Sequence, residues 1–144
     1  MIRTFSISHH AVTSIDSHPA ALDAIDAAHA MTTLNVSPGA GKLALLAQAR
    51  VNLETGGCDV IGCALTGKAA DTLQSSSGIR SCTIARLIGQ LEQHPTPLRI
   101  SKSTVVVVDE PGLIGFDDVS RLTSHVARAE GRVLLVGDLA GERE

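Results

Sequence analysis

Aromatic side chains are almost missing from this chain, which has no Trp, no Tyr, and only Phe5 and Phe116. The core must therefore be aliphatic. Most single-strand nucleic-acid binders stack bases on aromatic rings, and this chain has almost none to offer. A basic excess is missing too: the net charge is −3 over 144 residues. No overall positive field draws the chain to phosphate backbones. Cysteine is sparse, and Cys58, Cys63 and Cys82 show no CxxC spacing. The odd count argues against a disulfide framework and the scatter against a zinc site. All three read as small buried hydrophobes in a reducing compartment. The histidines are scattered, with His9 and His10 adjacent near the start, and read as solvated rather than metal-binding. The N-terminus lacks the charged start and apolar run of a signal peptide. No apolar stretch approaches the roughly 18 residues that span a bilayer. A cytoplasmic chain with no membrane partner is the expectation.

What is present describes a globular domain. The 44% hydrophobic content and 19% charge fit an ordinary folded chain rather than a disordered tail. A chain of this length suits one domain that hides roughly 70% of its unfolded surface. Residues 1–16 show no clear period and read as a loosely ordered lead-in. Residues 18–30 read as a helix with Ser17 as N-cap and Pro19 just inside the start, its apolar positions including Leu22, Ile25 and Ala28.

From Met31 the pattern alternates. Residues 31–36 form a short apolar run ending in a turn cluster, and 42–53 read as a helix that Gly56 and Gly57 break. Residues 58–65 are a second apolar run, 67–76 a helix, and 79–91 a further amphipathic helix bearing Ile84, Leu87, Ile88 and Leu91 on one face. Residues 103–109 contain four consecutive valines, Val105 to Val108. Such an unbroken β-branched run suits a strand covered on both faces. Residues 117–129 are helical, and 132–136 a fourth buried strand. Strands alternating with helices predict an α/β fold, a mostly parallel sheet between helical layers, over residues 17–144 as one domain.

Parallel α/β sheets bind ligands at the carboxyl ends of their strands, so the residues after each strand carry the chemistry. After the first comes Ser37-Pro38-Gly39-Ala40-Gly41-Lys42-Leu43. A strand, a glycine-rich turn and a lysine at a helix start make a phosphate cradle: backbone N–H groups converge on the anion, the helix dipole favours it, and Lys42 reaches the terminal phosphates. The full G-x-x-x-x-G-K-[ST] pattern fails at two positions. Val36 stands where the first glycine belongs, and Leu43 replaces the magnesium-ligating hydroxyl. A glycine-rich turn followed by an unrelated lysine would give the same six residues. After the third strand come Asp109 and Glu110, a carboxylate for the magnesium shell and one to orient or deprotonate the attacking water. Acidic residues often end strands, but a phosphate loop and a hydrophobic strand ending in Asp-Glu, in this order, are more specific together than either half. After the fourth strand, Asp138 could sense the γ-phosphate or link nucleotide to nucleic acid; a turn capped by Gly-Asp is the alternative.

The run from Val60 through Thr66-Gly67-Lys68-Ala69-Ala70, with Ser77-Gly78-Ile79 and Ser81-Cys82-Thr83-Ile84-Ala85, resembles the segment after the phosphate loop in RecD-like superfamily 1 helicases. The resemblance is closest to the first motor domain of conjugative relaxase–helicases. Val106 to Gly115 and Val133 to Asp138 resemble further motifs of that family, in its order, over about residues 19–138. The resemblance implies a P-loop NTPase (RecA-like) three-layer α/β/α fold, C-terminally truncated. It also implies ATP and Mg2+ as cofactors, with Lys42 and Glu110 catalytic and Asp109 at the metal. Residues 37–43 and Asp138 would lie on the nucleotide, with Thr66 and Lys68 as candidate contacts to single-stranded DNA. Thr66 can also simply cap the helix that begins at Gly67, and both roles can hold at once.

The departures from the family are as informative. Ala21 stands where the family has an adenine-reading glutamine, Pro111 replaces an alanine, and Leu139 and Gly141 replace a proline and a glutamine. A second motor domain with its arginine finger is not in the sequence, and neither is a relaxase domain. Losing one electrostatic ligand of the Leu43 kind costs about 10²- to 10³-fold in rate, and an absent arginine finger about 10³- to 10⁵-fold. The expectation is an ATP-binding motor-domain piece that engages single-stranded DNA only with its second motor domain. The alternative is a pseudo-ATPase serving as a scaffold. A small-molecule kinase would need lid and acceptor-site residues that the sequence does not supply.

Overall fold

The computed structural model describes residues 3–7, 10–15, 18–26, 29–36 and 41–138. Strands β1 (Arg3–Ile7) and β2 (His10–Ile15) pair antiparallel. Helix α1 (His18–Asp26) then leads to β3 (Met31–Val36), and α2 (Lys42–Thr55) to β4 (Asp59–Ala64). Next come α3 (Gly67–Ser77), β5 (Arg80–Thr83), α4 (Ile84–Leu91) and β6 (Thr104–Asp109). The short α5 (Pro111–Ile114) and the longer α6 (Phe116–Arg128) precede β7 (Arg132–Asp138). The strands form one sheet in the order β1-β2-β3-β7-β6-β4-β5, parallel throughout except between β1 and β2.

The valine run shows why the sheet has two covered faces. Val105 and Val107 join Leu34, Val36, Val136 and the inward side chains of α1, α2 and α3 in one apolar cluster. Val106 and Val108 join Ile61, Cys63, Val133 and the buried faces of α4 and α6 in the other. Successive strand residues point to opposite faces, so four valines in a row supply both layers. This is the expected three-layer α/β/α arrangement.

Three expectations need correction. Residues 1–16, read as a loose lead-in, contain β1 and β2. The run Arg3-Thr4-Phe5-Ser6-Ile7 does alternate, but over too short a span to stand out, and the hairpin joins the sheet only through the non-local pairing of β2 with β3. The helix expected over 79–91 is divided: Arg80 to Thr83 extend beside β4, and the helix starts only at Ile84. The Thr83 side chain accepts the Arg86 N–H at 3.1 Å and fixes that start. Third, only Cys63 is buried; Cys58 and Cys82 are partly exposed, and all three are free thiols. Burial, then the neighbouring Cys82 and Asp109, push the Cys63 thiol up to about 12. Of the helix expected over 18–30, His18–Asp26 is described as helical; residues 27 and 28 and the Ser17 cap lie outside the described residues.

Candidate functional site

Because β3, β4, β6 and β7 run parallel, their carboxyl ends meet at one end of the sheet. β7 lies between the strand that precedes the glycine-rich turn and the strand that ends in Asp-Glu. Gly41 caps α2 in the left-handed region, at φ 78° and ψ 47°, a conformation that costs a side-chain-bearing residue about 1–2 kcal/mol. Its carbonyl accepts the Leu45 N–H at 2.9 Å, so the helix starts there and Lys42 is its first residue. Ser37, Pro38, Gly39 and Ala40 lie outside the described residues.

From that start Lys42 reaches the end of β6. Its Nζ donates a hydrogen bond to Glu110 Oε2 at 3.0 Å and stands 2.8 Å from Asp109 Oδ1. The Lys42, Asp109 and Glu110 side chains are 23%, 12% and 26% exposed, so solvent screens these pairs only in part. Burial works against the ammonium, but the two carboxylates outweigh it and hold the Lys42 pKa above the ordinary lysine value. The lysine is the neighbour that the buried Asp109 Oδ1 has at 2.8 Å, and a carboxylate oxygen with two lone pairs keeps capacity for a further partner.

Glu110 has its own strain. It adopts φ 53° and ψ 61°, rare for a residue with a side chain. Its N–H donates to the Val136 carbonyl at 2.8 Å, and its carbonyl accepts from Leu113 N–H at 3.0 Å, holding the turn. Pro111 follows as the first residue of α5. There its missing N–H costs no helical bond, so replacing the family's alanine leaves the turn intact.

A cavity of about 370 Å3 opens beside these groups, lined by Lys42, Leu43, Thr66, Lys68, Thr72 and Asp109. Its volume is within the range of small-molecule sites. Thr66 does cap α3: its hydroxyl accepts the Ala69 N–H at 3.1 Å, and it still lines the cavity. Lys68 is exposed one residue into that helix. Thr72 was not anticipated, although it is four residues after Lys68 and so shares its helical face. Asp138 ends β7 opposite Val36, level with the start of the glycine-rich turn. Ala21 is fully buried in the cluster that α1 makes with α2, so it has no surface with which to read a base. Val36 is likewise core, 3% exposed at the end of β3.

Magnesium needs oxygen ligands and commonly takes one or two carboxylates together with substrate phosphates and water. Asp109, with a buried oxygen open to a further partner, fits that demand. Leu43 lines the same cavity and offers no oxygen. Among the described residues no cluster of three or more His, Cys, Asp or Glu could hold a metal by itself. His125, expected to be solvated, instead sits 2.6 Å from Glu92 and is half-buried, far from this site in role and element.

A family model described as an AAA domain matches residues 18–140. The chain belongs to the AAA-domain family. Among curated proteins it is 29% identical over 92% of its length to the probable conjugal transfer protein TraA of Sinorhizobium fredii, covering 12% of that protein. It is 33% identical over 69% of its length to the conjugal transfer protein TraA of Rhizobium radiobacter, covering 9% of it. It is 35% identical over 78% of its length to the ATP-dependent RecD2 DNA helicase of Deinococcus radiodurans, covering 16% of that protein. The chain thus spans less than a fifth of these relatives. Within the AAA-domain family it is a RecD-like superfamily 1 helicase motor domain, as the segment from Val60 to Ala85 implied. No helix among the described residues is long and apolar enough to cross a membrane.

Proposed function

We propose that this AAA-family chain binds ATP at the end of its sheet and, joined to a second motor domain, couples that nucleotide to single-stranded DNA in the cytoplasm. The observation that carries the reading is the meeting of Lys42 with Asp109 and Glu110 across the β7 strand. In this reading the glycine-rich residues 37–41 cradle the phosphates, and Lys42 exchanges its two carboxylates for the β- and γ-phosphate oxygens. Asp109 would hold Mg2+, which would supply positive charge against the phosphates. Glu110, released from Lys42, accepts the proton of a water that adds to the γ-phosphorus as the bond to the β–γ bridging oxygen breaks. Asp138 senses the γ-phosphate or links nucleotide to nucleic acid, and Thr66 and Lys68 meet DNA.

Leu43 favours a second reading, a fold that keeps the site's shape without turnover and serves as a scaffold. An apolar side chain stands on the cavity wall where the family places a metal ligand. Calorimetric titration of Mg-ATP into the wild-type chain and a Leu43→Thr variant separates the two. The motor reading predicts binding by both, about tenfold tighter in the variant, worth about 1.4 kcal/mol. Absence of binding in both folded proteins would remove the nucleotide reading and leave the scaffold.

A further inference from the structure

Cys63 and Cys82 are partners in the sheet: β4 and β5 run parallel and set these two residues directly opposite each other. Both side chains leave the sheet on the face that α4 and α6 cover. Each carries a free thiol. Burial raises the Cys63 thiol most, and Cys82 is the next cause, so the two sulfurs are near enough to act on each other. The nucleotide reading uses neither group.

Neighbouring strands lie about 4.7–4.9 Å apart, inside the range of about 4.4–6.8 Å between Cα atoms that a disulfide spans. A relaxed bridge holds its Cβ atoms about 3.5–4.5 Å apart, so closing one here draws β5 inward and leaves the bond strained. The sheet permits that movement. Strand β5 is an edge strand of four residues that pairs only with β4. In the adjacent pair Gly62 faces Ser81, and a Cβ at Gly62 would lie 2.6 Å from Ser81 Oγ. The glycine lets the two strands approach where a larger residue would wedge them apart.

The pair is reachable from solvent on one side. Cys82 is partly exposed and lines a cavity of about 510 Å3 with Arg80, Arg86 and Gln90. Burial raises the Cys82 thiol, and the charges of Arg86 and Arg80 oppose that rise. Cationic neighbours favour the thiolate, which is the form that attacks a disulfide. Cys63 is fully buried, so a reagent reaches it by way of Cys82.

We propose that Cys63 and Cys82 are a reversible dithiol–disulfide pair, oxidised by a small anionic disulfide of the glutathione type that enters the cavity beside β5. The Cys82 thiolate attacks one sulfur of the reagent; the reagent's S–S bond breaks, and one reagent thiolate leaves and takes a proton from water. Cys63 then gives up its proton and attacks the Cys82 sulfur of the mixed disulfide, and the second reagent thiolate leaves and is protonated in turn. Two protein thiols are oxidised to one disulfide, and the reagent is reduced to two thiols. A strained bridge is readily reduced again, and transient bridges are the kind that a reducing compartment allows. While closed, it ties the edge strand, and through Thr83 the start of α4, to β4. The proposal is separate from the nucleotide reading and stands if that reading fails.

The test is exposure of the folded chain to excess oxidised glutathione, followed by intact mass and peptide mapping without reductant. The wild type is compared with Cys58→Ser, which leaves only this pair; Cys58 accepts a hydrogen bond from Arg132 at 3.3 Å that a serine hydroxyl can also accept. The expected result in both is the loss of two hydrogens from the pair, a cross-linked peptide joining Cys63 to Cys82, and full reversal by dithiothreitol. Cys63→Ser is expected to stop one step earlier, with glutathione retained on Cys82. Retention of glutathione on Cys82 in a chain that keeps both thiols would overturn the pair, because closure then does not follow attack. It is equally overturned if neither thiol reacts in the folded chain while both react after unfolding in urea.

Discussion

Lys42 holds one positive charge against two carboxylates in a site that is largely out of water, so its removal leaves Asp109 and Glu110 facing each other without a counter-charge. A double-mutant cycle of Lys42→Ala and Asp109→Asn, read by urea unfolding, is expected to give a coupling of about 1 to 2 kcal/mol, discounted from a fully buried pair for its partial exposure. Additive effects would mean that the pair is a loose surface contact. The departures at single positions differ in kind. Val36 is absorbed by the core at the end of β3, and Ala21 by the packing of α1. Leu43 packs against the same cluster yet also lines the cavity, so its cost falls on function rather than on folding.

At the scale of elements, α4 and α6 are joined by a polar clasp as well as by Leu87, Ile88, Leu122 and Val126. Glu92, just past α4, pairs with Arg121 and His125, which are four apart on α6 and so share a face. The Arg121 hydrogen bond, followed by that from His125, draws the Glu92 carboxyl down to about 2. A carboxyl whose pKa is depressed on folding adds stability above its ordinary value of 4.5, and that contribution fades as pH falls through the folded value. Glu92→Gln is therefore expected to lower the melting temperature at pH 6 and to match the wild type near pH 2. An equal difference at both pH values would contradict the clasp. This contact was not legible in the sequence, because it joins residues about thirty apart with β6 and α5 between them. Nor was β5: its four residues run straight into α4, and an apolar helix face beginning at Ile84 masks a strand made by pairing with β4. Strand β2 depends in the same way on a partner, β3, that local pattern does not name.

The whole molecule is easier to read than its edges. Buried strands with apolar runs, helices with one apolar face and glycine breaks between them gave the parallel sheet, and the rule that ligands gather at strand ends located Lys42, Asp109 and Glu110. Sequence alone could not bring those three together, since Lys42 is 67 residues from Asp109 and meets it only because one strand lies between β3 and β6. Thr72 also required the packed chain, as nothing in its local pattern sets it apart from a solvated face. The central claim is that this meeting is a nucleotide site. Mg-ATP titrated into the wild-type chain and into Lys42→Ala, with folding of both verified by circular dichroism, tests it most directly. The account predicts a heat of binding in the wild type that disappears in Lys42→Ala. Equal binding by both folded proteins, or none by the wild type at millimolar nucleotide, would contradict it.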